Sequence, residues 1–163
     1  MKHIYLIRHA KSDWSDPSLD DFDRGLSLRG KRDIHLMAKW MKEKKIIPDY
    51  VLSSSAKRAK RTAKGLLTEA RIDKKIAYKK ALYFTTPEHM IEIIKMIDDK
   101  YKEVFLFGHN PEMTELVNLL LEESIENVPT LGIVGLQSHI KSWKKFEPQN
   151  VRLDFFIYPK LFR

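Results

Sequence analysis

Residues 3–9, His-Ile-Tyr-Leu-Ile-Arg-His, form a run of β-branched, aromatic and aliphatic residues too short for a helix, which predicts a buried strand. The run stops abruptly at Arg8-His9 and gives way to Ala10, Lys11 and Ser12. A second run, Val104-Phe105-Leu106-Phe107, is continuously apolar, as a central strand covered on both faces requires, and it too stops at a histidine, in Gly108-His109-Asn110-Pro111. In α/β folds, chemistry collects where such strands end. If the two strands are parallel neighbours, their imidazoles converge on one edge of a sheet.

The segments between them support that arrangement. Lys11 to Ser27 is too polar for a core and reads as a loop; Ser27 can then cap a helix whose apolar residues Ile34, Met37, Ala38 and Met41 recur at helical spacing, with Pro48 marking its end. Tyr50-Val51-Leu52 reads as a second strand, and Ser53, Ser54 and Ser55 turn it into a helix from about Ala56 to Ala70 with a narrow stripe of Ala59, Ala63, Leu66 and Ala70. A third strand and turn are expected over 76–83, and Thr86-Pro87 opens a helix carrying Met90, Ile93, Ile94 and Ile97. Asn110 and Pro111 have the chemistry of an N-cap and first helical position for a further helix with Leu116, Val117, Leu120 and Leu121 inward. Two strand-like segments, 132–137 and 151–158, follow, separated by a polar, Lys-rich stretch around Trp143. This alternation predicts a three-layer α/β/α sandwich with a mostly parallel central sheet and some antiparallel pairing at its end. The 163 residues suit a single domain over 1–163, large enough to bury a core without staples.

Charge is distributed unevenly. Of the net +8, the whole surplus lies in the segment Lys57–Lys80, which holds ten Lys or Arg against Glu69 and Asp73, whereas Ser12 to Asp23 carries Asp13, Asp16, Asp20, Asp21 and Asp23 and no base. The basic segment suits an acidic ligand or partner, or is simply a solvated helix face. The lack of cysteine excludes disulfides, thiolate catalysis and Cys-based zinc sites. No apolar run reaches the roughly 20 residues of a membrane span, and no signal-peptide apolar region precedes the first strand, so a soluble, cytoplasmic protein is expected.

Three strand ends thus supply Arg8 with His9, His109, and Arg58 from one turn into the helix after the serines. Two Arg and two His with no acid nearby suit a tetrahedral dianion, since guanidinium groups grip phosphate oxygens through paired hydrogen bonds. Alone, His9 would more often be a strand-end histidine bonded to backbone, and Arg58 one more charge on a basic helix. His3, His35, His89 and His139 lack any such setting.

Four stretches in order, LIRHAKSDW (6–14), DFDRGLSLRG (21–30), SSSAKRAKRTA (53–63) and FGHNP (107–111), resemble the histidine phosphatase superfamily, in particular its small SixA-type phosphohistidine phosphatases, across about residues 3–121. The resemblance implies a phosphoglycerate mutase-like fold and a phosphatase that needs no metal and no cofactor. It assigns the nucleophile to His9, the phosphate clamp to Arg8 and Arg58, and a phosphate-contacting histidine to His109. The adjacent cations are then expected to keep His9 neutral and able to attack. One departure stands out: where mutase-type members carry a Glu or Asp after the third strand, this chain has Ala81-Leu82-Tyr83-Phe84-Thr85, leaving Glu88 or an Asp of residues 13–23 as substitutes. Ser12 is a candidate for substrate binding and, like Arg24 and Ser53, for lining the pocket or ordering the loop; for Arg24 a structural pair with Asp23 is the favoured reading.

The expected substrate is phosphohistidine on a protein, with a small phosphorylated molecule as the alternative within the same superfamily. A leaving imidazole can be protonated on its far nitrogen and so loses least from a missing acid. The chain has no long insertion to serve as a lid, which favours a protein-sized substrate. A basic nucleic-acid-binding domain would also explain 57–80, but Tyr78 is the segment's single aromatic and no nucleic-acid motif is present, so no nucleic-acid partner and no membrane are expected. A phospho-ligand binder without turnover is the remaining alternative.

Overall fold

A computed structural model of the chain describes residues 1–122 and 124–163. Ten main elements follow in the order β1 (Lys2–Arg8), α1 (Leu28–Glu43), β2 (Tyr50–Ser54), α2 (Lys57–Glu69), β3 (Ile76–Lys79), α3 (Pro87–Lys95), β4 (Glu103–Gly108), α4 (Glu112–Leu121), β5 (Ile133–Ser138) and β6 (Val151–Ile157). The strands form one six-stranded sheet in the order β3-β2-β4-β1-β5-β6. β3, β2, β4 and β1 are parallel; β5 pairs antiparallel with β1, and β6 antiparallel with β5.

Side-chain alternation explains the three layers. On β1 and β4, Ile4, Leu6, Val104 and Leu106 face α3 and α4, packing on Met90, Ile94, Met113, Leu116 and Leu120. Their neighbours Tyr5, Ile7, Phe105 and Phe107 face α1 and α2, packing on Ile34, Met37, Met41, Ala63 and Leu66. Both central strands are therefore apolar without interruption because each face serves a separate core. The stretch around Trp143 differs from its sequence reading as a polar connection: Trp143 and Phe146 are fully buried among the α3 and α4 side chains, and the indole N–H donates to the Tyr101 carbonyl at 2.8 Å. Its lysines had masked a core anchor whose truncation to Ala should cost about 3–5 kcal/mol.

Capping chemistry sets where the helices begin. Ser27 accepts a hydrogen bond from the Gly30 amide at 3.1 Å, and Gly30 itself must lack a side chain, since a Cβ there would overlap the Lys11 carbonyl oxygen. This close approach holds the loop between β1 and α1 against the helix start. The helix ends at Glu43, ahead of Pro48, where Lys45 turns the chain with φ 56°. α4 starts one residue later than its Asn110-Pro111 signal predicts. Pro111 occupies the capping position, while the Asn110 side chain still accepts from the Thr114 amide at 3.2 Å. Among the described residues no helix is long and apolar enough to cross a membrane.

Candidate active site

The carboxyl ends of β1, β2 and β4 open on one edge of the sheet. Because β1 and β4 pair in parallel with Arg8 opposite Gly108, His9 and His109 leave the sheet at the same level, and their ring centroids lie 5.3 Å apart. Arg58, in the first turn of α2, reaches the same point: its Nε donates to His9 Nε2 at 3.3 Å. All three side chains are buried.

The hydrogen bonds determine the state of the His9 ring. Its Nδ1 lies 2.7 Å from the Ala10 carbonyl oxygen, which can only accept, so Nδ1 carries the proton; Arg58 Nε can only donate, so Nε2 carries the lone pair. The Ala10 carbonyl is fixed in turn, because the Ala10 amide donates to Thr62 Oγ1 at 2.9 Å and that hydroxyl donates to the Arg58 carbonyl at 2.7 Å. One threonine thereby ties the histidine's orienting group to the helix that carries the arginine. Burial holds the His9 pKa down to about 3; the Ala10 hydrogen bond opposes this, and the charges of His109, Arg58 and Arg8 reinforce it. The adjacent cations thus act as expected from the sequence, but desolvation is the larger cause.

His109 is wired the other way. Its Nε2 lies 2.7 Å from Ser54 Oγ, at the end of β2, and its Nδ1 is buried without a partner among the described residues. Burial first, then Arg58 and Arg8 against the opposing charge of Asp21, lowers its pKa to about 4. Arg8 continues the row of Ile4 and Leu6: its Nη1 donates to the Val128 carbonyl at 2.9 Å, and its Nε is buried without a partner among the described residues. Burial and the charge of Arg58 depress its pKa, so the two guanidinium groups sense one another.

The expectation of four donors without a nearby acid is corrected. Asp21, in a short 3-10 helix of the loop between β1 and α1, accepts from Arg58 Nη2 at 3.0 Å through Oδ2 and from Arg58 Nη1 at 2.6 Å through its backbone carbonyl. The same Oδ2 accepts from the Tyr83 hydroxyl at 2.6 Å. Tyr83 follows β3, where the sequence has no carboxylate; the carboxylate reaches that place from another loop. The short loop thus folds over the arginine even without a long insertion. Burial pushes the Asp21 carboxyl up, but the bonds from Tyr83 and Arg58 and the fields of Arg58 and His109 outweigh it and hold it below the usual carboxylate range. Tyr83 is pushed up to about 12 by its partial burial and by Asp21.

The hydrogen bonds of the second-rank residues run to other groups. Ser12 pairs with Leu26 in an isolated bridge and accepts from Trp14 Nε1 at 2.8 Å, so it braces the loop. Arg24 does not pair with Asp23; it donates to the carbonyls of Asp16 and Leu19 at 2.9 and 3.0 Å, with its guanidinium 4.0 Å from the Trp14 ring centre. Ser53 is fully buried and donates to the Ser54 carbonyl at 3.0 Å, and Glu88 is exposed on α3. The residues missed in the sequence are Asp21 as the particular acid, with Tyr83, Ser54 and Thr62; the alternation of β2 and the helical spacing from Arg58 to Thr62 were the available signals. α2 walls a groove of about 670 Å³ together with α1 and the loop after β1; Lys31, Lys57, Arg61 and Lys64 stand there beside Asp13, Asp16 and Glu69, and none of the buried His and Arg groups lines it. Among the described residues no three His, Asp or Glu side chains gather so as to hold a metal ion.

Comparison with known proteins agrees with this geometry. Residues 4–82 match the family described as Histidine phosphatase superfamily (branch 1). An uncharacterized protein of Mycobacterium tuberculosis is 32% identical, the match covering 94% of this chain and 100% of that protein. The crystal structure of the putative phosphohistidine phosphatase SixA from Agrobacterium tumefaciens superposes with a TM-score of 0.82 at 28% identity, covering 97% of this chain and 98% of that one. A protein histidine phosphatase SixA complexed with tungstate shares the fold, with a TM-score of 0.84, 18% identity and 99% of each chain covered.

Proposed function

Since this chain belongs to the histidine phosphatase superfamily, in its SixA-type branch with the phosphoglycerate mutase-like fold, and is thus a phosphatase, we propose that it removes the phosphoryl group from phosphohistidine on a protein or peptide by transferring it to Nε2 of His9. The observation that carries this reading is the state of the His9 ring: neutral, its proton held on Nδ1 by a backbone carbonyl, its lone pair on Nε2 beside a guanidinium. Such a ring needs no general base to attack.

In the first step the Nε2–P bond forms and the bond from phosphorus to the departing imidazole nitrogen breaks. Arg58 gives up its hydrogen bond to Nε2 and turns it to a phosphoryl oxygen, while Arg8 and His109 meet the others, stabilising the charge that develops on the transferring group. In the second step water attacks phosphorus, the electron pair of the P–N bond returns to Nε2, and phosphate leaves. The charge is met by guanidinium and imidazole groups throughout, so turnover is expected in EDTA. Phosphohistidine suits the site because Asp21 is ionised in the resting protein and has no proton ready for a poor leaving group, whereas a departing imidazole accepts one on its far nitrogen. The basic residues of α2 favour an acidic protein partner.

The test is a side-by-side measurement of kcat/KM for a phosphohistidine peptide and a panel of small phosphate esters, with a rapid-quench search for the acid-labile adduct. Wild type is expected to prefer the peptide and to trap phosphate on His9. An ester turned over at least tenfold better would sink the substrate assignment, and an adduct at any other residue would sink the mechanism.

A further inference from the structure

The segment after β3 is strained in a way that folding does not account for. Phe84 takes φ 52°, the left-handed region that a bulky side chain rarely enters. Among the described residues Lys45, Arg71, Glu122 and Leu131 share it, the first three where helices end, which is its ordinary place, and Leu131 in the core. Phe84 has neither setting, for its side chain is 81% exposed. The next residue adds to the strain: Thr85 Oγ1 is buried without a partner among the described residues. Leu28, Ile47 and Met96 are also exposed, as single apolar residues often are, but none of them stands on such a backbone. Strain of this kind persists where a ligand, rather than the fold, uses the residue.

The position of Phe84 identifies that ligand. Tyr83 joins it to the site: the two ring centroids lie 4.5 Å apart, while the Tyr83 ring meets His109 edge to face at 5.5 Å and its hydroxyl donates to Asp21 at 2.6 Å. Phe22, half-buried in the loop after β1, packs against Tyr83 at 5.0 Å. Burial falls along this row, from His109 through Tyr83 to Phe84, which is its solvent-facing end. A phosphohistidine seated on His9 must bring its neighbours past this rim, and consecutive residues span only about 3.3–3.6 Å each. A residue within a few positions of it therefore covers the ring. Resting on the reading of the substrate as phosphohistidine on a protein or peptide, we propose that Phe84 is a specificity residue that receives an apolar side chain standing beside the partner's phosphohistidine. Lys79 and Lys80, exposed just before it, make acidic residues the fitting company for that side chain. Binding then uses a ring that folding leaves in water, and a phosphorylated imidazole without neighbours gains nothing from it.

The experiment compares kcat/KM for 1-phosphoimidazole with that for an acidic phosphohistidine peptide carrying one leucine, moved in turn through the positions around the phosphohistidine, and for the same peptide without it. Wild type should favour at least one leucine peptide over the leucine-free one by about tenfold, through KM rather than kcat, as covering one exposed ring provides. Phe84→Asn removes the ring and tolerates the backbone, so it should melt no lower than wild type and lose that preference, whereas Phe84→Tyr should keep it. A preference that survives in Phe84→Asn overturns the proposal, as does a Phe84→Asn protein that melts well below wild type, since folding would then account for the ring. A fall equal for the peptides and 1-phosphoimidazole assigns the ring to shielding Tyr83 and overturns it too. A wild type that forms no His9 adduct from any of the peptides overturns the reading of the substrate, whereas an adduct formed with no preference for leucine at any position overturns the role of Phe84 alone.

Discussion

His9 and His109 leave adjacent parallel strands at one level, and burial depresses both rings, to about 3 and about 4. Their hydrogen bonds nevertheless give them opposite chemistry. His9 is anchored through Nδ1 to a backbone carbonyl, leaving Nε2 as a lone pair; His109 is anchored through Nε2 to the hydroxyl of Ser54, leaving Nδ1 without a partner among the described residues. A carbonyl can accept only, so the first ring is committed to one tautomer. A hydroxyl can do either; Ser54 Oγ accepts from the Ala56 amide at 3.2 Å, and with no other acceptor for its proton among the described residues, donation to His109 Nε2 is the arrangement that satisfies the hydroxyl. That puts the ring proton of His109 on Nδ1, a donor for a phosphoryl oxygen. In the proposed mechanism equivalent strand ends thus serve as nucleophile and hydrogen-bond donor, and the partner of one ring nitrogen decides which.

The widest gap should appear on truncation. His9→Ala removes the bond-forming atom and is expected to abolish both turnover and the quenched adduct, whereas His109→Ala removes one donor to transition-state charge and is expected to lower kcat/KM by about 100-fold while the adduct on His9 still forms. An adduct found on His109, or His109→Ala as inactive as His9→Ala with no adduct, would break the comparison.

Acid stability comes next, and here the two residues should behave alike. Both folded pKa values lie below the ordinary 6.5, so the unfolded chain binds more protons as pH falls from 6.5 toward 4 and 3. The stability that neutral burial confers is therefore complete above about 6.5 and is lost on acidification. Between pH 6.5 and 5 each histidine should cost about 2 kcal/mol. Urea midpoints at pH 7 and 5 check this: His9→Gln and His109→Gln should each flatten the acid decline. If neither does, these rings are not held neutral by burial.

The sequence carried the layers and the placement of His9, His109 and Arg58, because both depend on short-range patterns: period-two and continuous apolar runs, helix caps, and histidines immediately after strands. What it lacked depends on contacts across long separations. Asp21 meets Tyr83 and Arg58 only because the loop after β1 folds back over the start of α2, and nothing distinguishes it from the four other aspartates of that loop. Trp143 was hidden for a related reason, since its lysine neighbours point outward while its indole reaches the Tyr101 carbonyl. Ser54 and Ser53 are adjacent in sequence and point to opposite faces of β2, so the one beside His109 can be told from the other only when the strand's neighbours are known.

Ser54 yields the smallest effect and the sharpest test of the comparison. Ser54→Ala leaves the His109 ring in place but removes the group that selects its tautomer, so part of the population carries the proton on Nε2 and presents a lone pair to the phosphoryl group. A neutral hydrogen bond contributes about 1 kcal/mol, so kcat/KM should fall roughly fivefold, well short of His109→Ala. Ser54→Thr, which keeps the hydroxyl, should recover most of it. Nitrogen-15 shifts of the His109 ring give the direct readout: Nδ1 protonated in wild type, with Nε2 sharing the proton in Ser54→Ala. A wild-type ring protonated on Nε2 would instead make His109 the donor and Ser54 the acceptor, give both histidines a free lone pair toward the phosphate, and leave burial rather than wiring to explain why only one of them attacks.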